Sequence, residues 1–281
     1  MLTVPVAGGQ LAVADYGAFA PDAPTIVAVH GITANSHSWG RVARTLNGSV
    51  RLVAVDLRGR GDSRTAPPPY GLGQHAQDLL TVVDWLGLGQ IHLAGHSLGA
   101  YIAARFAVEH NDRVVKLTLI DGGLPIPGIE QIDPNAFLGA AVARLDLTFA
   151  SREEYCEWWT RHPAFGDGQI EPEDLAHYAD HDLAGDPPVM RSGVVRAAVA
   201  ADAADLPAAG DFAYRLAVPT LLLTAPRGLQ NELNPMQPET LARAWAQQAP
   251  AQRHARLVPD VNHYTLVLGR GADQVAAALA R

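Results

Sequence analysis

The stretch Gly95-His96-Ser97-Leu98-Gly99, which follows the apolar run Ile91-His92-Leu93-Ala94, constrains this chain more than any other. It reads as a short strand, a sharp turn and a helix running from about Leu98 to Glu109. A serine held outward at such a turn forces strained backbone angles and crowds its neighbours. Glycine at both flanks, Gly95 and Gly99, removes the side chains that would clash. The helix N-terminus then aims amides at the serine, where they can stabilise negative charge on a bound carbonyl oxygen. Ser97 is the candidate nucleophile, and the Leu98 amide a candidate oxyanion donor.

The rest of the chain supplies a sheet for this turn to stand on. Leu2 to Ala7 and Gln10 to Tyr16 alternate about Gly8-Gly9 and predict an antiparallel hairpin. Thr25 to Val29, Val50 to Leu57 and Val114 to Asp121 predict buried strands, with helices at about Ser36 to Leu46 and Leu72 to Leu86 between them. Strand–helix alternation of this kind implies a mostly parallel, doubly wound α/β sheet. From Gly122 to about Leu216 the rhythm stops and no strong strand signal is present. Helical patterns cover 135–146, 151–161, 172–179 and 188–203, the second opening on the capping box Ser151-Arg152-Glu153-Glu154. Strands return at Val218 to Thr224 and at Arg256 to Val258, with helices at about Pro238 to Gln248 and Ala272 to Leu279. The expected organisation is a core domain of 1–121 and 217–281, interrupted by a helical cap, 122–216, over the sheet's C-terminal edge. That edge is where open α/β sheets bind ligands.

A serine needs a base within hydrogen-bond reach and a third group to orient that base. Of the 11 histidines, His263 is the candidate base, because its loop after the last strand opens at the same sheet edge as Ser97. Asp121 is the candidate for the third role, with Glu232 as the alternative. Asp121 stands at the end of the strand after the Ser97 helix; Glu232 is the only carboxylate in the loop that follows Leu221-Leu222-Leu223. Both keep the chain order serine, acid, histidine. His30-Gly31-Ile32 ends the strand Thr25 to Val29, and the Ile32 amide is the second candidate oxyanion donor. His30, Trp158, Trp159 and Tyr264 are candidate pocket residues, although a cap helix packed on the core would place Trp158 and Trp159 equally well.

Composition narrows the partners. A net charge of −8 argues against nucleic acid or an anionic membrane, and no apolar run approaches the length of a membrane span. The one cysteine, Cys156, excludes an internal disulfide, and Met1 to Val6 lacks the charged start and apolar core of a signal peptide. A cytoplasmic monomer or homodimer acting on a small molecule is expected. His177 and His181 have a spacing that can hold a metal, but no further ligand accompanies them, so neither metal nor cofactor is expected.

Gly95-His96-Ser97-Leu98-Gly99, His30-Gly31, the loop Asp56-Leu57-Arg58-Gly59-Arg60-Gly61-Asp62-Ser63 and the late Asn262-His263 together resemble the α/β-hydrolase family. The resemblance covers nearly the whole chain outside the cap and implies that fold, with the Arg58/Arg60 loop as a structural turn beside the site. It implies a serine hydrolase of a small or medium apolar carboxylic ester, acting through an acyl-enzyme on Ser97. A lactonase, a thioesterase or a carbon–carbon bond hydrolase would use the same triad, and a non-catalytic ligand receptor could keep the same scaffold. In many members the acid follows the strand read here as Leu221 to Thr224; this sequence departs from that pattern, and Asp121 stands where other members carry it.

Overall fold

Thr25-Ile26-Val27-Ala28-Val29 is apolar at nearly every position, as a strand buried on both faces must be. In the computed structural model, which describes residues 1–18, 20, 23–129, 139 and 141–281, this run is strand β3 (Thr25–Val29). It lies inside an eight-stranded sheet with β1 (Leu2–Val6), β2 (Gly9–Asp15), β4 (Arg51–Val55), β5 (Ile91–His96), β6 (Val114–Ile120), β9 (Thr220–Thr224) and β10 (Arg253–Leu257). The order is β1-β2-β4-β3-β5-β6-β9-β10, parallel from β4 to β10, with the β1–β2 hairpin added antiparallel at one edge.

The two-residue period of the strands sorts their side chains onto two faces. Val27, Val29 and Leu93 pack toward α2 (Leu72–Trp85) and α3 (Leu98–Glu109). Ile26, Ala28 and Ala94 pack on the other face with α1 (Gly40–Leu46) and the terminal helix Ala272–Leu279. Ser36–Trp39, expected as the first turn of α1, is a separate 3₁₀ turn capped by the Asn35 side chain. The chain winds from β3 outward to β4 and then returns to place β5 on the other side of β3. That reversal is the switch point at which loops leaving adjacent strands part and open a crevice. The His30–Thr33 loop and Ser97 stand on its two sides.

The insertion contributes α4 (Arg152–Thr160), α5 (Pro172–Asp182) and α6 (Arg196–Ala209). Ser151 caps α4 by accepting from the Glu154 amide at 3.2 Å. The expected absence of strands in 122–216 is corrected. Leu183–Asp186 (β7) and Val189–Ser192 (β8) pair antiparallel in a sheet of their own, so the helix expected over 188–203 begins only at Arg196. Pro187-Pro188 breaks the helical path between them, and strands of four residues are too short to show a period. Of the helix expected over 135–146, residues 135–138 and 140 lie outside the described residues; its last turn, Arg144–Asp146, is 3₁₀. An aromatic cluster of Phe149, Tyr155, Trp159, Phe165 and Tyr178 forms the core of the insertion and meets the main domain at Tyr264 and Leu268. Among the described residues no helix is long and apolar enough to cross a membrane.

Candidate active site

Ser97 joins β5 to α3 with φ 55° and ψ −121°, a strained conformation for a residue with a side chain. Its amide donates to the Ile120 carbonyl at 2.9 Å, which ties the turn to β6. A Cβ on Gly95 would lie 2.1 Å from the Gly99 carbonyl oxygen, and one on Gly99 would lie 2.2 Å from that of Val29. The flanking glycines are therefore required by close backbone approach, as the sequence suggests.

Two further strand ends bring the partners in. Asp121 follows β6 with φ 46°, and its amide donates to the Leu223 carbonyl at 2.7 Å. This left-handed step turns its carboxylate back over the sheet edge. One oxygen accepts from the Ala225 amide at 3.1 Å; the other lies 2.7 Å from Nδ1 of His263. His263 is held by its loop: its amide donates to the Arg227 carbonyl at 3.1 Å, and Asn262 Oδ1 accepts the amides of Tyr264 and Thr265. Both Asp121 and His263 are buried. Glu232 does not reach this histidine. It is exposed, and its carboxylate accepts the Gln230 amide at 2.6 Å.

Ser97, His263, Ile32 and Leu98 line one cavity of about 40 Å³. Among the described residues no hydrogen-bond partner takes the amides of Ile32 or Leu98, so both are free to serve an oxygen there. The remaining wall is mostly apolar, with Tyr101 and Leu268 from the core and Ile126, Tyr178 and Leu206 from the insertion. Tyr264 also lines it; three other candidates do not. His30 is fully buried, donating from Nδ1 to the Gly31 carbonyl at 2.7 Å and accepting the Leu57 amide on Nε2 at 3.0 Å. Burial lowers its pKa to about 4, so it is a neutral brace. Trp159 is buried within the insertion's aromatic cluster and Trp158 is half-buried beside it. They pack within the insertion and are not among the residues that line the cavity, so of the two placements open in the sequence the structure has packing.

His96 was not singled out by the sequence beyond its place beside Ser97. It donates from Nε2 to the His263 carbonyl at 2.9 Å, and the two rings lie 4.7 Å apart. Burial holds its pKa well below the ordinary value, so this support is neutral. Arg58 and Arg60 are committed inside the fold: Arg58 to Asp78 at 2.5 Å, Arg60 to Asp202 at 2.5 Å. His177 and His181 do not converge on a shared centre. His181 Nε2 lies 2.7 Å from Asp56, and its ring stacks on His37 at 3.9 Å.

A family model described as alpha/beta hydrolase fold matches residues 24–267. The N-formylmaleamate deformylase of Pseudomonas putida is 36% identical over 104 residues, covering 37% of this chain and 39% of that protein. A fluoroacetate dehalogenase from a Burkholderia species is 34% identical over 106 residues, covering 35% of this chain and 34% of that protein. The matched stretches thus span little more than a third of these curated relatives. Across nearly the full length, the crystal structure of E-2-(acetamidomethylene)succinate hydrolase superposes with a TM-score of 0.80 at 21% identity, covering 96% of this chain and 93% of that one.

Proposed function

The chain belongs to the alpha/beta hydrolase fold family, and on that footing we propose that it is a serine hydrolase of carboxylic esters with small, uncharged, apolar acyl groups. The observation that carries this is the Asp121–His263 pair at 2.7 Å, opening with Ser97 onto one narrow apolar cavity. In this reading Ser97 Oγ attacks the ester carbonyl while Nε2 of His263 takes its proton. Asp121 holds the Nδ1–H tautomer and stabilises the imidazolium that forms. The amides of Ile32 and Leu98 receive the charge on the carbonyl oxygen. The alcohol departs with the proton from His263, leaving an acyl group on Ser97. Water gives a proton to His263 as it attacks that acyl group, and His263 returns the proton to Ser97 Oγ as the acid is released.

The apolar wall supports an uncharged acyl group, since among the described residues none that lines the cavity is a lysine or arginine that would pair with a second carboxylate. Residues 122–216 act as the lid, contributing Ile126, Tyr178 and Leu206 to that wall. The test is labelling by a fluorophosphonate together with turnover of p-nitrophenyl butyrate. Ser97 is expected to be the labelled residue, with both signals lost in Ser97→Ala. A folded parent protein that neither labels nor turns over would favour the ligand-receptor reading instead.

A further inference from the structure

The Ile32 amide belongs to a loop whose three successive carbonyls are each held by a buried side chain. Gly31 accepts from His30 Nδ1 at 2.7 Å, Ile32 from Arg60 Nε at 3.0 Å, and Thr33 from a terminal nitrogen of Arg144 at 3.0 Å. His30 and Arg60 belong to the core domain. Arg144 comes from the insertion, 111 residues further along the chain.

Arg144 is itself fixed by the insertion. Its guanidinium pairs with Asp182 at the end of α5 and with the Tyr155 hydroxyl, and it lies 4.9 Å over the Trp159 ring. Asp182 also accepts from Ser192 Oγ at 2.8 Å, where β8 ends. Arg144 and Asp182 are only 1% and 3% exposed. Buried charge-assisted hydrogen bonds of this kind are short and directional, and a guanidinium so held has little freedom. Arg60 repeats the arrangement, through Asp202 on α6.

We infer that Arg144, anchored by Asp182, is a positioning residue for the oxyanion hole, through which the insertion sets the orientation of the Ile32 amide. The inference rests on the serine-hydrolase reading above. Arg144 touches no reacting atom; it holds the Thr33 carbonyl, Arg60 holds that of Ile32, and His30 holds that of Gly31, whose peptide carries the Ile32 N–H, so the loop that aims this N–H is braced at three successive peptides, the last of them from the insertion. An insertion that also supplies cavity wall thus couples cavity shape to the geometry of charge stabilisation. Displacing a donor by about 1 Å can cost about 100-fold in rate, and losing one outright costs about 10²- to 10³-fold.

The experiment compares the full-length parent with Arg144→Lys, which keeps the charge but loses the fork, and Asp182→Asn, which keeps the volume but weakens the anchor. Active sites are counted by fluorophosphonate titration, so that misfolded molecules drop out. Turnover of p-nitrophenyl butyrate per titrated site is measured, with the affinity for an alkyl trifluoromethyl ketone. Ser97 Oγ adds to that ketone carbonyl, and the resulting alkoxide occupies the oxyanion hole. Each variant is expected to lose about 10- to 100-fold in kcat with KM within about twofold, and to bind the ketone more weakly by a similar factor. Arg152→Gln, at an exposed arginine paired with Asp180, is expected to match the parent. If Arg144→Lys yields no folded protein, Asp182→Asn alone decides. A fall in melting temperature with kcat per site and ketone affinity unchanged would overturn the inference, as would a change confined to KM. An active, labelled parent with unaffected variants leaves the hydrolase reading standing; a parent that fails to label removes both.

Discussion

Asp121 reaches Nδ1 of His263 with one carboxylate oxygen at 2.7 Å and the Ala225 amide with the other at 3.1 Å. The second contact stops the carboxylate from rotating, so the histidine meets a fixed acceptor. Asp121→Asn keeps the shape but offers the ring a donor as readily as an acceptor, favouring the wrong tautomer. Turnover per folded molecule is expected to fall by about 10³- to 10⁴-fold with the melting temperature little changed. Glu232→Gln is expected to be nearly neutral, because that side chain only closes its own exposed turn. Equal losses in the two variants would defeat the assignment of the acid.

The glycines beside Ser97 make a sharper stability prediction. A methyl group at either site meets backbone atoms, 2.1 Å away at Gly95 and 2.2 Å at Gly99, and backbone of the central sheet has nowhere to move. Gly95→Ala and Gly99→Ala are each expected to cost about 3 kcal/mol or more in urea unfolding. Gly89→Ala is the control, since nothing lies within 4 Å of its added carbon. Similar stabilities for all three would show that the turn relaxes more readily than its packing implies.

Trp158 and Trp159 separate cap stability from substrate choice. Trp159 is 2% exposed and packs edge-on against Tyr155, Tyr178 and Tyr264. Trp159→Ala is expected to destabilise the protein by about 3 to 5 kcal/mol, and Trp158→Ala by clearly less. Neither indole lines the cavity. The ranking of p-nitrophenyl acetate, butyrate and octanoate is therefore expected to match the parent's in both variants. A reversal of that ranking in Trp158→Ala would place the indole in the substrate's path.

Much of this was readable from residue order because strand ends announce themselves. Gly95-His96-Ser97-Leu98-Gly99 could fit few other backbones, and Asp121 closes the largely apolar strand Val114 to Ile120, so its place at the active edge followed from the sheet. The sequence favoured Asp121 by its strand end but kept Glu232 as an alternative because both preserve chain order; the left-handed backbone at Asp121, φ 46°, is what turns it toward His263. The β7–β8 hairpin was hidden by its length. Arg144 left no trace at all. Its importance comes from contacts with Thr33 and Asp182, 111 and 38 residues away, and no local spacing encodes such pairings. Trp158-Trp159 misled because an aromatic pair on a cap helix serves an internal core as readily as a pocket.

The buried histidines set how stability responds to acid. Burial lowers His30 to about 4, and burial with the nearby Lys116 charge lowers His92 to about 3, both beneath an unfolded value of about 6.5. Between these limits the unfolded chain binds protons that the folded chain refuses, so stability falls as pH drops below about 6.5. His181 acts in the opposite sense. Burial would lower its pKa, but the hydrogen bond and charge of Asp56 outweigh it and hold it above the ordinary value. Its contribution is complete below about 6.5 and is lost as pH rises through its folded pKa. For His30 the shift corresponds to about 3 kcal/mol once it is complete, and His92 adds in the same direction. With two lowered histidines set against one raised, urea unfolding is expected to show stability falling between about pH 7 and pH 4.5. His92 stands at the start of β5, with Nε2 2.8 Å from Thr118 Oγ1, five residues before Ser97. His92→Gln removes that proton uptake without touching the site and is expected to flatten the acid slope. His181→Gln is expected to lose more stability at pH 6 than at pH 8. An acid slope identical in parent and His92→Gln would mean that His92 is protonated in the folded protein, against its burial beside Lys116.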